Sequence, residues 1–283
     1  WYSKCPSCEQ IRTSPTQDPL GGNCSVCQRA ITTQYIDPFV EPSAFSVRVS
    51  RSSEGGARHR RSTLIRQRQT ITHFIDSVEK TRFHDVGLFR LALSEEGNLF
   101  RYNKGPGNEG FILCQACGWS EPKHGFRAGR RHKRLRESLG SMDCPNEQPW
   151  TKPLAYGHQF QSFCLIARPI TAPPSVESLA FALQRGLCLV LDIDPSDIGV
   201  SWRWQANKNN RTGAEIILYD RAPGGSGFVK EGYDNWEQVV KEAQEVCEKC
   251  TCEKACYDCL KSYGNQSYHE ELNRNDVSIF FKS

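Results

Sequence analysis

The sequence predicts an α+β protein, and three observations predict it. Most of the fourteen cysteines fall into short-spaced pairs; the stretch from about residue 44 to 167 carries several segments of apolar and polar alternation; and beyond Pro173-Pro174 apolar residues recur at helical spacing between strand-like runs. Together they divide the 283 residues into a cysteine ribbon over 1–36, a β-rich domain with a second cysteine knuckle over 37–172, and an α/β domain with a four-cysteine cluster over 173–283. Length agrees, since roughly 150 residues per domain gives about two folded units plus small modules.

The ribbon rests on Cys5-Pro-Ser-Cys8 and Cys24-Ser-Val-Cys27. Two residues between thiolates let a tight turn aim both at one tetrahedral ion, and two such pairs close a four-coordinate Zn²⁺ site. The alternative is a disulfide framework, which needs an oxidising compartment. The chain opens Trp1-Tyr2-Ser3-Lys4 with no apolar segment behind it, and 283 residues is far above the size of disulfide-dense scaffolds, so thiolate–zinc chemistry in a reducing cytoplasm is the expectation. The abrupt start without methionine leads us to expect that sequence upstream was removed. A mean hydropathy of -0.57 and a hydrophobic content of 38% are low for one continuous core, so metal is expected to supply folding free energy. No run approaches the ~18 apolar residues of a membrane span.

In the middle region, Ala44 to Val49 alternates as a strand, Gly87–Leu93 and Asn98–Tyr102 read as two more, and Glu95-Glu96-Gly97-Asn98 between them reads as a hairpin turn. Gly110–Leu113 runs into Cys114-Gln115-Ala116-Cys117, a knuckle that needs two further ligands. Cys144, followed by Pro145, is the expected third and His132 the fourth, with His124 an alternative; Cys₃His is an ordinary structural set. Tyr156–Ala167 is another strand, and Cys164 and Cys188 read as buried free thiols.

The last domain begins at Ser175, a helix cap, with Val176, Leu179, Ala180, Leu183, Leu187 and Val190 on one helical face. Strands follow at 198–206 and 214–219. The second enters Asp220-Arg221-Ala222-Pro223-Gly224-Gly225-Ser226-Gly227, after which Trp236, Val239, Val240, Ala243 and Val246 mark another helix. A glycine loop between strand and helix suits a phosphate, but the Lys-Ser/Thr of a P-loop is replaced by Phe228-Val229-Lys230, so a tight turn is the commoner reading. With no complete ATPase motif set, no nucleotide is expected as a ligand. Asp192, Asp194, Asp197, Glu215 and Asp220 offer a Mg²⁺ nuclease centre as a further alternative, but no Lys follows an acidic pair on a strand. Cys250, Cys252, Cys256 and Cys259 then crowd together, giving about three zinc ions in all.

The net charge of +4 is unevenly spread. Arg58, Arg60, Arg61, Arg66 and Arg68, with Arg48 and Arg51 before them, share their segment with one acid, Glu54. Arg127, Arg130, Arg131, Lys133, Arg134 and Arg136 form a second cluster. Arginine forks bind phosphate oxygens bidentately, which makes DNA the expected partner; a solvated basic loop, mobile over 50–62, or a patch for an acidic protein is the plainer reading.

Leu218-Tyr219-Asp220 with Pro223-Gly224-Gly225-Ser226-Gly227, then Cys250-x-Cys252-x₃-Cys256-x₂-Cys259, then Asn265-Gln266 with His269, Leu272, Asn273 and Arg274, resembles the MrfA-type zinc-binding domain at the C-terminus of DEAD/DEAH-box DNA helicases. The resemblance implies that Cys250, Cys252, Cys256 and Cys259 hold zinc and that Cys247 is spare. Gly110-Phe111 before Cys114, His132-Lys133-Arg134-Leu135 before Cys144-Pro145, and Gly157-His158-Gln159-Phe160 are similar to the DrmB family, helicase-associated subunits of the DISARM anti-phage system, over most of residues 1–283; Ser162-Phe163 departs from the Thr-Asp pair of that branch. The likeness implies a non-catalytic, DNA-engaging partner of a helicase in antiviral defence or DNA repair. A pure scaffold that leaves DNA to its partner is the rival reading.

Overall fold

Alternation with a period of two builds the central sheet of this computed structural model, which describes residues 1–42, 70–76, 82–127, 144, 150–206 and 211–283. The expected strand at 44–49, the segment 50–62, His132 and every candidate DNA-binding residue except Arg127 lie outside the described residues. The chain folds as two compact units, one of residues 1–36, 72–100 and 159–283, the other of 37–71 and 101–158. Among the described residues no helix is long and apolar enough to cross a membrane.

In the first unit, β1 (Tyr2–Lys4) and β2 (Ile11–Thr13) form an antiparallel hairpin, and β3 (Gly22–Asn23) pairs with β4 (Ala30–Ile31) in a second. β5 (Ile36–Asp37) joins the edge of β1, and β6 (Phe39–Val40) belongs to the second unit. Then come β7 (Ile71–Phe74), β8 (His84–Val86) and β9 (Phe89–Asn103).

β9 corrects an expectation, because the anticipated hairpin turn at Glu95–Asn98 is part of one 15-residue strand. The turn lies earlier, at Gly87, where Val86 pairs with Phe89. Gly97 serves close approach instead: a Cβ there would lie 2.6 Å from Cys164 Sγ and 2.9 Å from Phe74. Asn98 completes the arrangement by donating its backbone N–H and its Nδ2 to Asp76, at 2.7 and 2.8 Å.

In the second unit β10 (Phe111–Leu113) and β11 (Ser120–Pro122) form a hairpin around the cysteine knuckle, and Phe111 and Cys114 bridge to Leu154 and Trp150. The ring of Phe111 packs 4.7 Å from Tyr156, and Lys104 pairs with Asp37 at 2.9 Å. β6 runs parallel to the start of β12 (Ala155–Pro169).

Back in the first unit, α1 (Val176–Leu191) begins at Ser175, whose Oγ accepts the Ser178 N–H at 3.1 Å, as its cap position requires. β13 (Ile198–Ala206) and β14 (Arg211–Asp220) form a long antiparallel pair, giving the sheet order β13-β14-β12-β9-β7. α2 (Phe228–Asp234), α3 (Trp236–Lys249) and α4 (Arg274–Phe281) follow. Alternation then sorts the strands onto two faces. Leu165, Ala167, Ile216 and Leu218 face Leu179, Leu183, Val239 and Ala243 of α1 and α3, while Cys164, Ile166, Ile217 and Tyr219 pack with Phe74, Leu99 and Phe160 on the other face. Each such leucine or isoleucine contributes about 1.5–3 kcal/mol by burial, so apolar packing on both faces holds the sheet in addition to whatever the metal sites supply.

Candidate metal centres

Three of the cysteine turns repeat one backbone device. In each, the first cysteine's N–H donates to the carbonyl five residues on: Cys5 to Gln10 at 2.9 Å, Cys24 to Arg29 at 2.7 Å, Cys114 to Trp119 at 2.8 Å. The carbonyl of that cysteine accepts from the residue four on, which is Glu9, Gln28 or Gly118. That residue is left-handed every time, with φ of 63°, 59° and 75°, the conformation that reverses the chain tightly enough for the second thiol to lie beside the first.

The turns bring the sulfurs together. Cys5, Cys8, Cys24 and Cys27 place their Sγ atoms within 4.8 Å of one another, with Cys5–Cys27 at 3.5 Å and Cys8–Cys24 at 3.6 Å. Cys250, Cys252, Cys256 and Cys259 form a second set of four, with sulfur separations of 3.4, 3.5, 3.7 and 3.8 Å along four edges. A tetrahedron with Zn–S of about 2.3 Å has edges of about 3.8 Å, whereas a disulfide is about 2.05 Å. All fourteen cysteines are free thiols, so the disulfide framework is not what the chain forms.

Cys114, Cys117 and Cys144 make the third cluster, with Cys114 and Cys144 sulfurs 3.7 Å apart. His132 lies outside the described residues. His124 does not join this cluster; its Nδ1 faces Glu109 Oε1 at 3.4 Å in an exposed pair.

The chemistry of the donor sets fits a divalent cation. Hydrogen-bonded to one another, the thiols divide unevenly: hydrogen bonds from Cys5 and Cys8 push the Cys24 thiol down, while its contact with Cys24 pushes Cys8 up. In the C-terminal set the Cys252 N–H helps lower Cys250 to about 7, and burial raises Cys252 to about 12. At the third cluster burial raises Cys144 to about 11; it would also raise Cys114, but the N–H groups of Cys117 and Ala116 outweigh it. Packed thiolates repel, and a central Zn²⁺ lets all of them ionise together. The three clusters are thus compatible with about three zinc ions.

A second layer of contacts holds the C-terminal set. Arg274, entering α4, donates from Nε to the Cys252 carbonyl at 2.6 Å and from Nη1 to the Cys247 carbonyl at 3.1 Å. Its N–H reaches Lys254 at 2.7 Å, and Asn275 Nδ2 reaches Glu253 at 3.1 Å. Outer contacts of this kind orient metal ligands. Cys247 is fully buried, lies outside the ligand group, and is pushed up to about 12 by burial.

The N-terminal ribbon is tied to the sheet of the same unit. Trp204 N–H donates to the Cys8 carbonyl at 3.2 Å, and Arg203 Nη1 reaches Gln10 Oε1 at 2.7 Å and the Asp76 carbonyl at 2.9 Å. Arg203 also pairs with Glu215, which Arg168 holds from the other side. Burial would raise the Glu215 carboxyl, but the two guanidinium groups outweigh it and hold it below the ordinary range. Gln10, Arg168 and Arg203 were not among the expected site residues, and Glu215 was expected only as a nuclease carboxylate; the one signal was a glutamate inside the apolar run Ala214–Leu218.

The carboxylates offered for a nuclease are placed for other work. Glu215 is neutralised by arginines, Asp192 ends α1 in a left-handed conformation, and Asp194 accepts the Ser196 N–H in a turn. Asp220, fully buried, accepts from Ser226, Gly227 and Val229 N–H groups at 2.7, 2.6 and 3.0 Å. The glycine loop therefore wraps its own carboxylate, which occupies the donors a phosphate would need. Gly225 permits this with φ of 82°, in a place where a Cβ would meet Phe163 at 2.2 Å. Among the described residues these acids form no metal-ligating group.

Comparison with known proteins bears on the C-terminal cluster. Residues 179–260 match the MZB family, the MrfA Zn-binding domain. The MZB segment contains all four cysteines of that cluster, together with Asp220 and its loop. Three solved structures of the DUF1998 helicase MrfA are similar to the chain. The one bound to DNA has a TM-score of 0.43 at 12% identity over 75% of this chain and 24% of that one. A structure of MrfA alone has 0.34, 13%, 67% and 22%, and one bound to DNA and AMPPNP has 0.32, 9%, 75% and 22%. The chain spans less than a quarter of the length of these helicases. No curated protein matches it.

Proposed function

We propose that this chain is a zinc-folded, non-catalytic module that engages DNA beside a DEAD/DEAH-box helicase, in DISARM-like anti-phage defence or in DNA repair. The observation that carries the reading is the four-thiol cluster at Cys250–Cys259, inside the segment that matches the MrfA Zn-binding domain. The proposed ligands are Cys5, Cys8, Cys24 and Cys27; Cys114, Cys117 and Cys144 with His132; and Cys250, Cys252, Cys256 and Cys259. The proposed division is a ribbon over 1–36, a β-rich domain over 37–172 and the zinc-binding α/β domain over 173–283. Free thiols in such numbers suit a reducing compartment such as the cytoplasm.

DNA contact is assigned to Arg58, Arg60, Arg61, Arg66 and Arg68 and to the cluster from Arg127 to Arg136; Arg127 is exposed. Neutralising about six phosphates of a single strand gives a slope of roughly -4 in log affinity against log salt. The expected result is that the protein binds oligonucleotides of unrelated sequence with similar affinity and with such a slope. Alanine at both arginine clusters removes most of the slope while zinc content is unchanged. Absence of binding at low salt sinks the DNA assignment and leaves the pure scaffold.

A further inference from the structure

Among the described residues the most exposed aromatic rings lie in the part of the chain with net negative charge. Residues 1–172 hold 24 Lys and Arg against 15 Asp and Glu, whereas residues 173–283 hold 12 against 17. A zinc ion with four thiolates is formally doubly negative, so the C-terminal cluster makes its surroundings more anionic still. On this anionic background stand Tyr263, 84% exposed, and Tyr257, 60% exposed.

The ring of Tyr257 and the turn that presents Tyr263 are held in place. Tyr257 lies in the turn between Cys256 and Cys259, whose backbone is closed by the Cys259 N–H to the Cys256 carbonyl at 3.3 Å. Its ring stands edge-on to His269, with centroids 5.6 Å apart and planes at 84°. His269 Nε2 in turn lies 3.0 Å from the Ser262 carbonyl and 2.9 Å from Asn265 Oδ1. Asn265 is buried, and it accepts the Ser262 N–H and donates to the Leu260 carbonyl, both at 2.8 Å. One imidazole therefore links the turn of Tyr257 to the turn that presents Tyr263. Residues 250–272 carry Glu253, Asp258, Glu270 and Glu271 against Lys254 and Lys261, so the segment is net negative before the thiolates are counted.

Two solvent-facing aromatic rings, on a segment flanked by carboxylates and closed around a thiolate-rich metal cluster, have a definite complement. A nucleic acid could stack bases on the rings, but its phosphates would meet net negative charge. An arginine side chain meets both requirements, since its planar cation stacks on an aromatic face and pairs with carboxylates. We propose that the Tyr257–Tyr263 face docks an arginine-rich segment of a protein partner, leaving DNA to the basic segments nearer the N-terminus. The proposal rests on the reading of this chain as a helicase-associated module, and it places the partner on the C-terminal zinc knuckle.

The test titrates the full-length zinc-loaded protein with a fluorescein-labelled oligoarginine peptide and, separately, with labelled oligothymidylate. The double variant Tyr257→Ser/Tyr263→Ser is expected to bind the peptide roughly fivefold to thirtyfold more weakly, the loss of two ring–cation contacts. Its oligothymidylate affinity and zinc content stay unchanged, and Tyr257→Phe/Tyr263→Phe keeps the peptide affinity. Peptide binding that is absent, or that is indifferent to the serine substitutions, overturns the proposal. So does a fall in oligothymidylate affinity in the serine variant, which would make this face a base-stacking platform. Failure of the wild-type protein to bind oligothymidylate strikes the DNA-engaging reading, and the peptide titration then still judges the docking face.

Discussion

Stripping zinc under reducing conditions is expected to remove the cooperative thermal transition of the ribbon and to lower the melting temperature of the first unit by more than about 20 °C. The size follows from structural zinc, worth on the order of 10 kcal/mol per site, and from a shift of roughly 2–4 °C per kcal/mol in a domain of this size. The effect reaches beyond the ribbon for a reason visible in the contacts. The Cys8 carbonyl that accepts from Trp204, and the Gln10 side chain that accepts from buried Arg203, both sit on the first cysteine turn. When that turn opens, Arg203, 6% exposed, loses a neutral acceptor in a place where water does not replace it. Cys24→Ser is expected to reproduce most of the loss, since three ligands hold the ion less well than four. Circular dichroism melts with and without a chelator measure it, and an unchanged melting temperature would count against a folding role for the metal.

Asp220→Ala is the single substitution outside the cysteines expected to cost most, about 3–5 kcal/mol. It leaves three donors on Ser226, Gly227 and Val229 facing a hole, and each buried unsatisfied donor costs about 1–3 kcal/mol. Asp220→Asn is expected to fall between, because its amide oxygen still accepts but its NH₂ group opposes the remaining donors. Neither change removes a metal ligand, so zinc content stays constant while the urea midpoint falls at constant slope. A midpoint shift worth less than about 1 kcal/mol would show that the loop holds its shape without the carboxylate, and the glycines would be open again to an outside anion.

The two cases differ in how far they could be read from the residues. The cysteine turns were legible because their grammar is local: two intervening residues, then a reversal, as at Cys5, Cys24 and Cys114. The C-terminal strand, glycine loop and helix were legible for the same reason, and α1 starts at Ser175 as its cap predicts. Glu95-Glu96-Gly97-Asn98 was misread because its turn-like residues answer to distant partners. Gly97 is small for the sake of Cys164 and Phe74, and Asn98 bonds Asp76 rather than closing a turn. The glycine loop reads as a tight turn rather than a phosphate cradle, but the residues alone do not show what fills it, because the deciding group, Asp220, is identified only by its burial and the N–H groups it accepts from. The trio of Arg168, Arg203 and Glu215 joins residues up to 47 positions apart, a distance over which no periodic pattern speaks.

All of this depends on sulfur clusters that fold around metal. Mass-spectrometric metal analysis of the purified, reduced protein tests that most directly. The account predicts about three zinc atoms per chain, one lost in Cys256→Ser and another in Cys24→Ser. A preparation that is folded yet carries no zinc, or whose zinc content those substitutions leave unchanged, would contradict it.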